Sequence, residues 1–374
     1  MKLKLFICIL FFIYPVYGQV IWDNYYNIVL YRSVDPRAEA MGKILSVGEQ
    51  KSFTLLSNPA LDNSGKETSV YFSYGNPYYI FNKAEISSFG ITYNIGTIGP
   101  FGLSMERFEY NLNTSYYGGN YYATEGLYSL SYSNSISDIL NFGIAVNMVA
   151  DNKFKDRSSN AIFFDIGLSK KFSIYEYEKL KHQLNSGLQI INVTGKKIKN
   201  EPILYNNQAF SIPFPSVLRI GLEDILTFYK NSDKDYKLIT LKTAIEYEDL
   251  LNAKTLSTIK FGAELSTLDL LSLRVGYYYR VEEYKVTDSY YDYGDILLYE
   301  RIYHYDYSNG CFTFGAGLNI DFKRLLNGPP ITLSIDFVNL KQTIREKALS
   351  DGRSETYSLG NFHTVLARWR YTIE

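Results

Sequence analysis

The chain has 374 residues, with 38 Lys and Arg against 39 Asp and Glu, a formal net charge of −1. That balance excludes a nucleic-acid-binding surface or an acidic tail as the main functional feature. After the first residues no stretch reaches 18 consecutive apolar positions, so no helical membrane span is expected.

The N-terminus reads as a secretion signal over residues 1–18. Lys2 and Lys4 precede the apolar run Leu5 to Ile13, and Gly18 supplies a small residue at the cleavage position. Without these two lysines the balance is 36 minus 39, or −3. Cys8 falls inside the signal, which leaves Cys311 and no intrachain disulfide.

Residues 19–68 lack strand patterning. Asp35 before Pro36 is a helix start, an acidic cap followed by proline in the first turn. Gly42 closes the short helical run, and Asn58-Pro59 calls for a turn. About fifty such residues ahead of a barrel are expected to plug its lumen or pack beneath it.

From residue 69 onward the pattern changes to period two. Along Cys311 to Phe322, positions 312, 314, 316, 318, 320 and 322 are Phe, Phe, Ala, Leu, Ile and Phe, while the alternate set is small or polar. One face of such a strand meets an apolar medium and the other does not. The pattern recurs near 69–75, 86–95, 100–112, 125–136, 140–151, 159–171, 184–194, 214–225, 236–248, 257–266, 270–281, 310–322, 330–340 and 361–373. The expected fold is all-β: a 14-stranded antiparallel transmembrane β-barrel over 69–374, with an N-terminal plug and an outer-membrane location.

The apolar set, such as Ile144, Val146, Met148, Phe164, Ile166, Ile245, Phe261 and Leu273, is expected to face lipid. Lys242, Glu246, Lys260, Glu264, Arg274, Asp336, Arg368 and Arg370 are expected in the lumen, because a charge on the lipid side at mid-bilayer costs about 2–4 kcal/mol. Lumen positions Gly143, Gly167, Gly187, Gly221, Gly262, Gly276, Gly315 and Gly317 leave room for a plug or ligand. Joins after even strands read as short turns and most joins after odd strands as long loops. The long join 172–183 is an exception and reads as a short helix.

The run Arg37-Ala38-Glu39-Ala40-Met41-Gly42, followed by Ser57-Asn58-Pro59-Ala60-Leu61, resembles the N-terminal signature of the PorV/PorQ family, which is similar to the FadL long-chain fatty-acid transporters. Arg37, Met41, Gly42, Asn58, Pro59 and Ala60 match the motif. Lys43-Ile44-Leu45 and Leu61 depart from it. The resemblance implies a fourteen-stranded outer-membrane barrel and the type IX secretion system of Bacteroidota, with secretion-system or secreted cargo proteins as partners. The FadL side implies a transporter for hydrophobic small molecules.

No catalytic constellation stands out, so a non-enzymatic protein without a cofactor is expected. His182, His304 and His363 have no metal-ligand spacing, and no phosphate loop or G-x-S-x-G elbow occurs. The join 282–309 holds eight tyrosines, among them Tyr290, Tyr291, Tyr293, Tyr303, Tyr305 and Tyr307. It reads as a partner-binding loop or as a hairpin extending beyond the membrane. Asp288, Asp292 and Asp295 lack EF-hand spacing. Tyr78, Tyr79, Ile80 and Phe81 read as a hydrophobic mouth or a structural cap.

Overall fold

The structure, a computed structural model, describes residues 35–48, 57–64, 68–75, 85–95, 98–114, 119–137, 140–154, 157–194, 197–198, 212–213, 216–230, 237–251, 257–291, 297–326, 328–348 and 354–373. The sequence readings at 1–18, at Tyr78 to Phe81 and at Tyr293 lie outside them.

Alternating side chains produce antiparallel strands joined to their neighbours in sequence. They are β1 (Thr68–Gly75), β2 (Glu85–Asn94), β3 (Pro100–Thr114), β4 (Gly119–Ser137), β5 (Leu140–Phe154), β6 (Arg157–Tyr177) and β7 (Leu180–Ile191). A two-residue ribbon follows, β8 (Lys197–Ile198) with β9 (Ile212–Pro213). The second half comprises β10 (Val217–Tyr229), β11 (Lys237–Leu250), β12 (Thr258–Thr267), β13 (Leu271–Tyr291), β14 (Leu297–Asp321), β15 (Ile331–Ala348) and β16 (Ser354–Ile373). Among the described residues, fourteen strands form one hydrogen-bonded ring, with β7 next to β10. β1 pairs with β2 on one side and β16 on the other, so the sheet has no free lateral edge at that seam.

The outer and inner faces separate by parity. Ile144, Val146, Met148, Phe164, Ile166, Ile245, Phe261, Leu273, Phe312 and Phe314 are exposed on the outside. Lys242, Glu246, Lys260, Glu264 and Asp336, one position out of phase, are buried inside. For Arg368 and Arg370 only the strand register is described, opposite Ser334 and Thr332.

Three joins differ from the sequence reading. Residues 172–183 are not helical: β6 continues to Tyr177, and Glu178-Lys179 turns directly into β7. Cross-strand pairs Tyr175↔His182 and Glu176↔Lys181 compete successfully against local helix propensity. For 282–309 the difference is from the loop alternative alone: the segment follows the hairpin alternative, β13 and β14 pairing as far as Tyr290↔Tyr299. Likewise most of 341–360 belongs to β15 and β16. The end of the ring where β1 starts and β16 finishes is called the turn end below, and the opposite end the loop end.

Gly187 and Gly221 face each other across β7 and β10, as Gly143 and Gly167 do across β5 and β6. Val146→Lys, on the outer face between these inner positions, is expected to lower unfolding stability in lipid by about 2–4 kcal/mol. Urea titration of bilayer-folded protein measures this. An unchanged midpoint would show that the outer face is not in hydrocarbon.

Candidate functional site

Residues 35–48 and 57–61 lie within the ring. Asp35 accepts a hydrogen bond from the Arg37 backbone N–H (3.0 Å) and caps α1 (Pro36–Ala40). Gly42 ends the helix at φ +74, where an added Cβ would meet the Phe261 carbonyl oxygen at 2.6 Å and that of Tyr277 at 2.9 Å. Both conformation and closeness therefore require glycine. The Gly42 N–H donates to Thr313 Oγ1 (3.1 Å), and that hydroxyl donates to the Ala40 carbonyl (2.8 Å). Thr313 thus takes over end-of-helix groups that the five-residue helix cannot satisfy itself.

Beyond Gly42 the chain runs along the wall as a strap. Ala40 covers Gly315, Met41 covers Gly262, and Met41-Gly42 covers Gly276. Ser46-Val47 covers Gly187 and Gly221. Asn58 covers Gly167, and Pro59-Ala60 covers Gly143. At each of these seven wall positions an added Cβ would collide with the strap. Gly317 serves a different purpose: it makes room for Arg274 and Asp336, two wall residues. At the same belt on β11 stands Ala244, which packs with Met41, Ile44 and Val47.

Asn58 joins the two described pieces of strap to each other and to the wall. Its backbone N–H donates to Leu45 O (3.2 Å). Its side-chain amide lies within hydrogen-bond distance of the carbonyls of Ser46 (3.0 Å), Leu168 (2.9 Å) and Leu188 (3.2 Å), and Oδ1 accepts from Ala60 N (3.0 Å). Pro59 opens the 3-10 turn Pro59–Ser64, and Ser169 donates to Ala60 O (3.1 Å). The motif residues Arg37, Met41, Gly42, Asn58, Pro59 and Ala60 are thus brought together in one wall-bound strap.

Charge fixes the rest. Glu246, fully buried, accepts from the backbone N–H of Leu45 (2.8 Å) and Ser46 (2.6 Å) through Oε2. Its Oε1 receives Lys260 Nζ (2.7 Å), which also reaches Glu248 (2.7 Å) and the Lys43 carbonyl (3.1 Å). Arg219 completes this group on Glu248 (2.7 Å). A second group gathers Glu264 and Asp336 with Lys242 and Arg274, and Glu223 nearby accepts from Asn185 (3.0 Å). Arg37 enters it from the strap, Nε to Glu264 at 2.8 Å and an Nη to Glu223 at 3.3 Å. One strap acid has no such company: Glu39 is buried, and neither carboxyl oxygen has a hydrogen-bond partner.

The lumen differs on the two sides of the strap. Toward the loop end, Val149, Phe163, Ile191, Val217 and Tyr278 follow the belt glycines of β5, β6, β7, β10 and β13, all inward and buried. Ile86, Phe108 and Leu127 add apolar side chains on β2 to β4, interleaved with buried Glu106 and Glu125, which stand opposite Leu127 and Phe108 in register, and with buried Asp165, Arg219 and Glu248 on β6, β10 and β11. Toward the turn end lies a polar vestibule of ≈ 230 Å³, lined by Gln183, Thr227, Thr240, Ser266 and Ser272, with Arg37 and Asp35 on the strap side.

The other sequence candidates stand apart. Tyr290 and Tyr291 lie on β13, and Tyr303, Tyr305 and Tyr307 on β14. By register, Tyr284, Tyr290, Tyr303, Tyr305 and Tyr307 occupy positions of the lumen-side face, and Tyr291 does not. His182 is paired with Asp224 on the outer face (2.5 Å), beside Tyr175. Among the described residues no His/Cys/Asp/Glu cluster could hold a metal. Sequence reasoning missed Thr313, Glu246, Gln189 and Ser169 as strap ligands. Glu246 alone carried a signal, as an inward charge on the strand where the small belt residue is alanine.

No protein-family model matches the chain, and no curated protein matches its sequence. Distant solved structures superpose on it. A Pseudomonas aeruginosa FadL homologue is 8% identical, covering 91% of this chain and 98% of that one, TM-score 0.45. The CymD monoaromatic hydrocarbon channel is 9% identical, covering 91% and 97%, TM-score 0.43. The Pseudomonas putida toluene transporter TodX is 9% identical, covering 90% and 97%, TM-score 0.39. These are likenesses only, and the functional reading rests on this chain's own residues.

Gly187→Val is expected to leave the barrel folded while driving Ser46-Val47 off the wall. Hydrogen exchange at 41–48 should then rise with global thermal stability little changed; an unaltered exchange rate refutes the close-approach argument. Glu39→Met should do the opposite and slow exchange of α1, because an unsatisfied buried carboxyl costs about 1–3 kcal/mol or more.

Proposed function

We propose that this chain is an outer-membrane barrel that admits small hydrophobic molecules to its lumen and is closed by its own strap. An outer face of Leu, Ile, Val and Phe around a charge-lined interior fits lipid outside and polar surroundings inside. A water-soluble cylinder would not expose so large an apolar surface. The observation that carries the transport reading is the order of tiers along the lumen: inward apolar side chains concentrated at the loop end among buried charged groups, the strap at the belt, and the polar vestibule at the turn end. A hydrophobic molecule arriving from the loop end meets matching side chains before it meets the barrier. The strap closes the path at rest, because it lies against at least seven wall strands.

The test is entry of a hydrophobic fluorescent probe into cells whose outer membrane limits it. Expression should speed entry several-fold; Phe108→Asn with Phe163→Asn should abolish that gain, and Arg37→Ala should increase it. Equal entry with and without the protein overturns the reading.

A second reading is favoured by the β13–β14 hairpin. A tilted span takes about 9–11 residues, whereas these strands have 21 and 25. The excess continues past the loop end, and its register positions are rich in tyrosine. That blade suits a protein partner, including secreted cargo of the kind the N-terminal resemblance implies. Under this reading Tyr303→Ser with Tyr305→Ser should lose partners captured from solubilised membranes while probe entry is unaffected.

A further inference from the structure

We infer that the turn-end vestibule is a binding site for a guanidinium group, and that such a group competes with Arg37 and releases the strap. The vestibule wall includes Arg37 and its partner Glu264, so a molecule entering from the turn end reaches this ion pair directly. Asp35 is the other strap residue in the lining, and its carboxylate is engaged as the cap of α1.

With Arg37 set aside the vestibule lining carries Lys181, Lys237, Lys242 and Arg274 against Asp35, Glu264, Asp269 and Asp336, so the sign that matters is local to the partners of Arg37. Among the described residues, Lys242 and Arg274 on the wall pair with Glu264, and Arg274 also with Asp336, whereas the cation that reaches Glu223 is Arg37. Arg37 is the third cation, and it comes from the strap. The deeply buried members are the acids: Glu223 and Glu264 side chains are 1% and 4% exposed, against 17% for Arg37. A competing anion would take Arg37 and leave buried carboxylates short of a counter-charge, which is costly. A competing cation keeps them paired and lets Arg37 leave with the strap into water. Arg37 bridges two carboxylates with two nitrogens of one planar fork, a geometry that an ammonium point charge does not reproduce. The ligand class is therefore guanidinium, as a free compound or as an arginine side chain offered from the turn end.

Two features make the strap releasable. Glu39 sits buried without a hydrogen-bond partner, so seating the strap carries a standing cost. The Thr240 hydroxyl, also buried and without a partner, lines the same vestibule and awaits a donor or acceptor.

The experiment is hydrogen exchange of the full-length protein in lipid, read at the Leu45 and Ser46 amides that bond Glu246. Millimolar methylguanidinium should raise their exchange about tenfold, corresponding to about 1.4 kcal/mol. An arginine-containing peptide should act likewise if the side-chain source is competent; a response to methylguanidinium alone assigns the site to small compounds. Urea and tetramethylammonium at matched concentration should do nothing. Arg37→Gln should exchange fast without ligand and not respond further. No response to either guanidinium source, or an equal response to urea or tetramethylammonium, overturns the proposal. Since no transport is measured, a negative result leaves the hydrophobic-passage reading untouched.

Discussion

The approach of the strap backbone to the barrel wall governs the rest of this structure. Strap atoms lie where the Cβ of a wall residue would stand at Gly143, Gly167, Gly187, Gly221, Gly262, Gly276 and Gly315. Strap main chain takes that place at Gly143, Gly187, Gly262 and Gly276, and strap side chains at Gly167, Gly221 and Gly315; either is possible only where the wall residue has no side chain. The glycines lie on two runs of neighbouring strands, β5-β6-β7-β10 and β12-β13-β14, separated by Ala244 on β11, and several oppose one another in register. Glycine weakens a strand by losing packing and by conformational entropy. Here the strap refills the lost volume with Met41, Val47 and Pro59, and the wall supplies polar partners for its backbone.

Those partners decide the chemistry of the interior. A segment with only one short helix leaves many backbone groups unpaired, and burying them uncompensated is expensive. Glu246 takes two such N–H groups, Thr313 serves Gly42 and Ala40, and Asn58 spans strap and wall. Once Glu246 is placed in the wall it needs Lys260, and Lys260 also serves Glu248 and the Lys43 carbonyl. The charged lumen is thus a consequence of holding an irregular segment, rather than of selecting ions. Both signs occur in close pairs, unlike the single-sign ring of a selective pore.

Period-two alternation made the ring legible from sequence, because each strand has one face in each environment and every charged residue votes on the phase. Lys260 and Glu264 place Phe261 and Leu265 outside without further information. The inward glycines were also visible, but what filled their space was not, since each contact joins residues far apart in the chain, from Ala60 with Gly143 to Ala40 with Gly315. Lengths were the weak point. By composition residues 172–177 look helical and 282–291 look like loop, yet strand pairing is cooperative and the ladder continues wherever a neighbour is available. Arg37 could be singled out from its motif, but its partners Glu223 and Glu264 could not, because strand parity says which face a residue occupies and not its height in the barrel.

The contrast between the two ion groups follows from where each cation originates. Lys260 and Arg219 belong to the wall, so the group around Glu246 is complete whether or not the strap is present. The group around Glu264 is complete only with Arg37. Removing a strap whose amides sit on an already neutral group costs hydrogen bonds worth about 0.5–1.5 kcal/mol each, net of those regained from water. Removing Arg37 costs more, because it strands carboxylates that water reaches poorly. The strap is therefore held by many modest contacts along its length and by one strong contact near its turn-end start. A fastening of that kind opens in order: the amide contacts yield only after the arginine is replaced, which concentrates control of the lumen at the single position a molecule in the vestibule can touch.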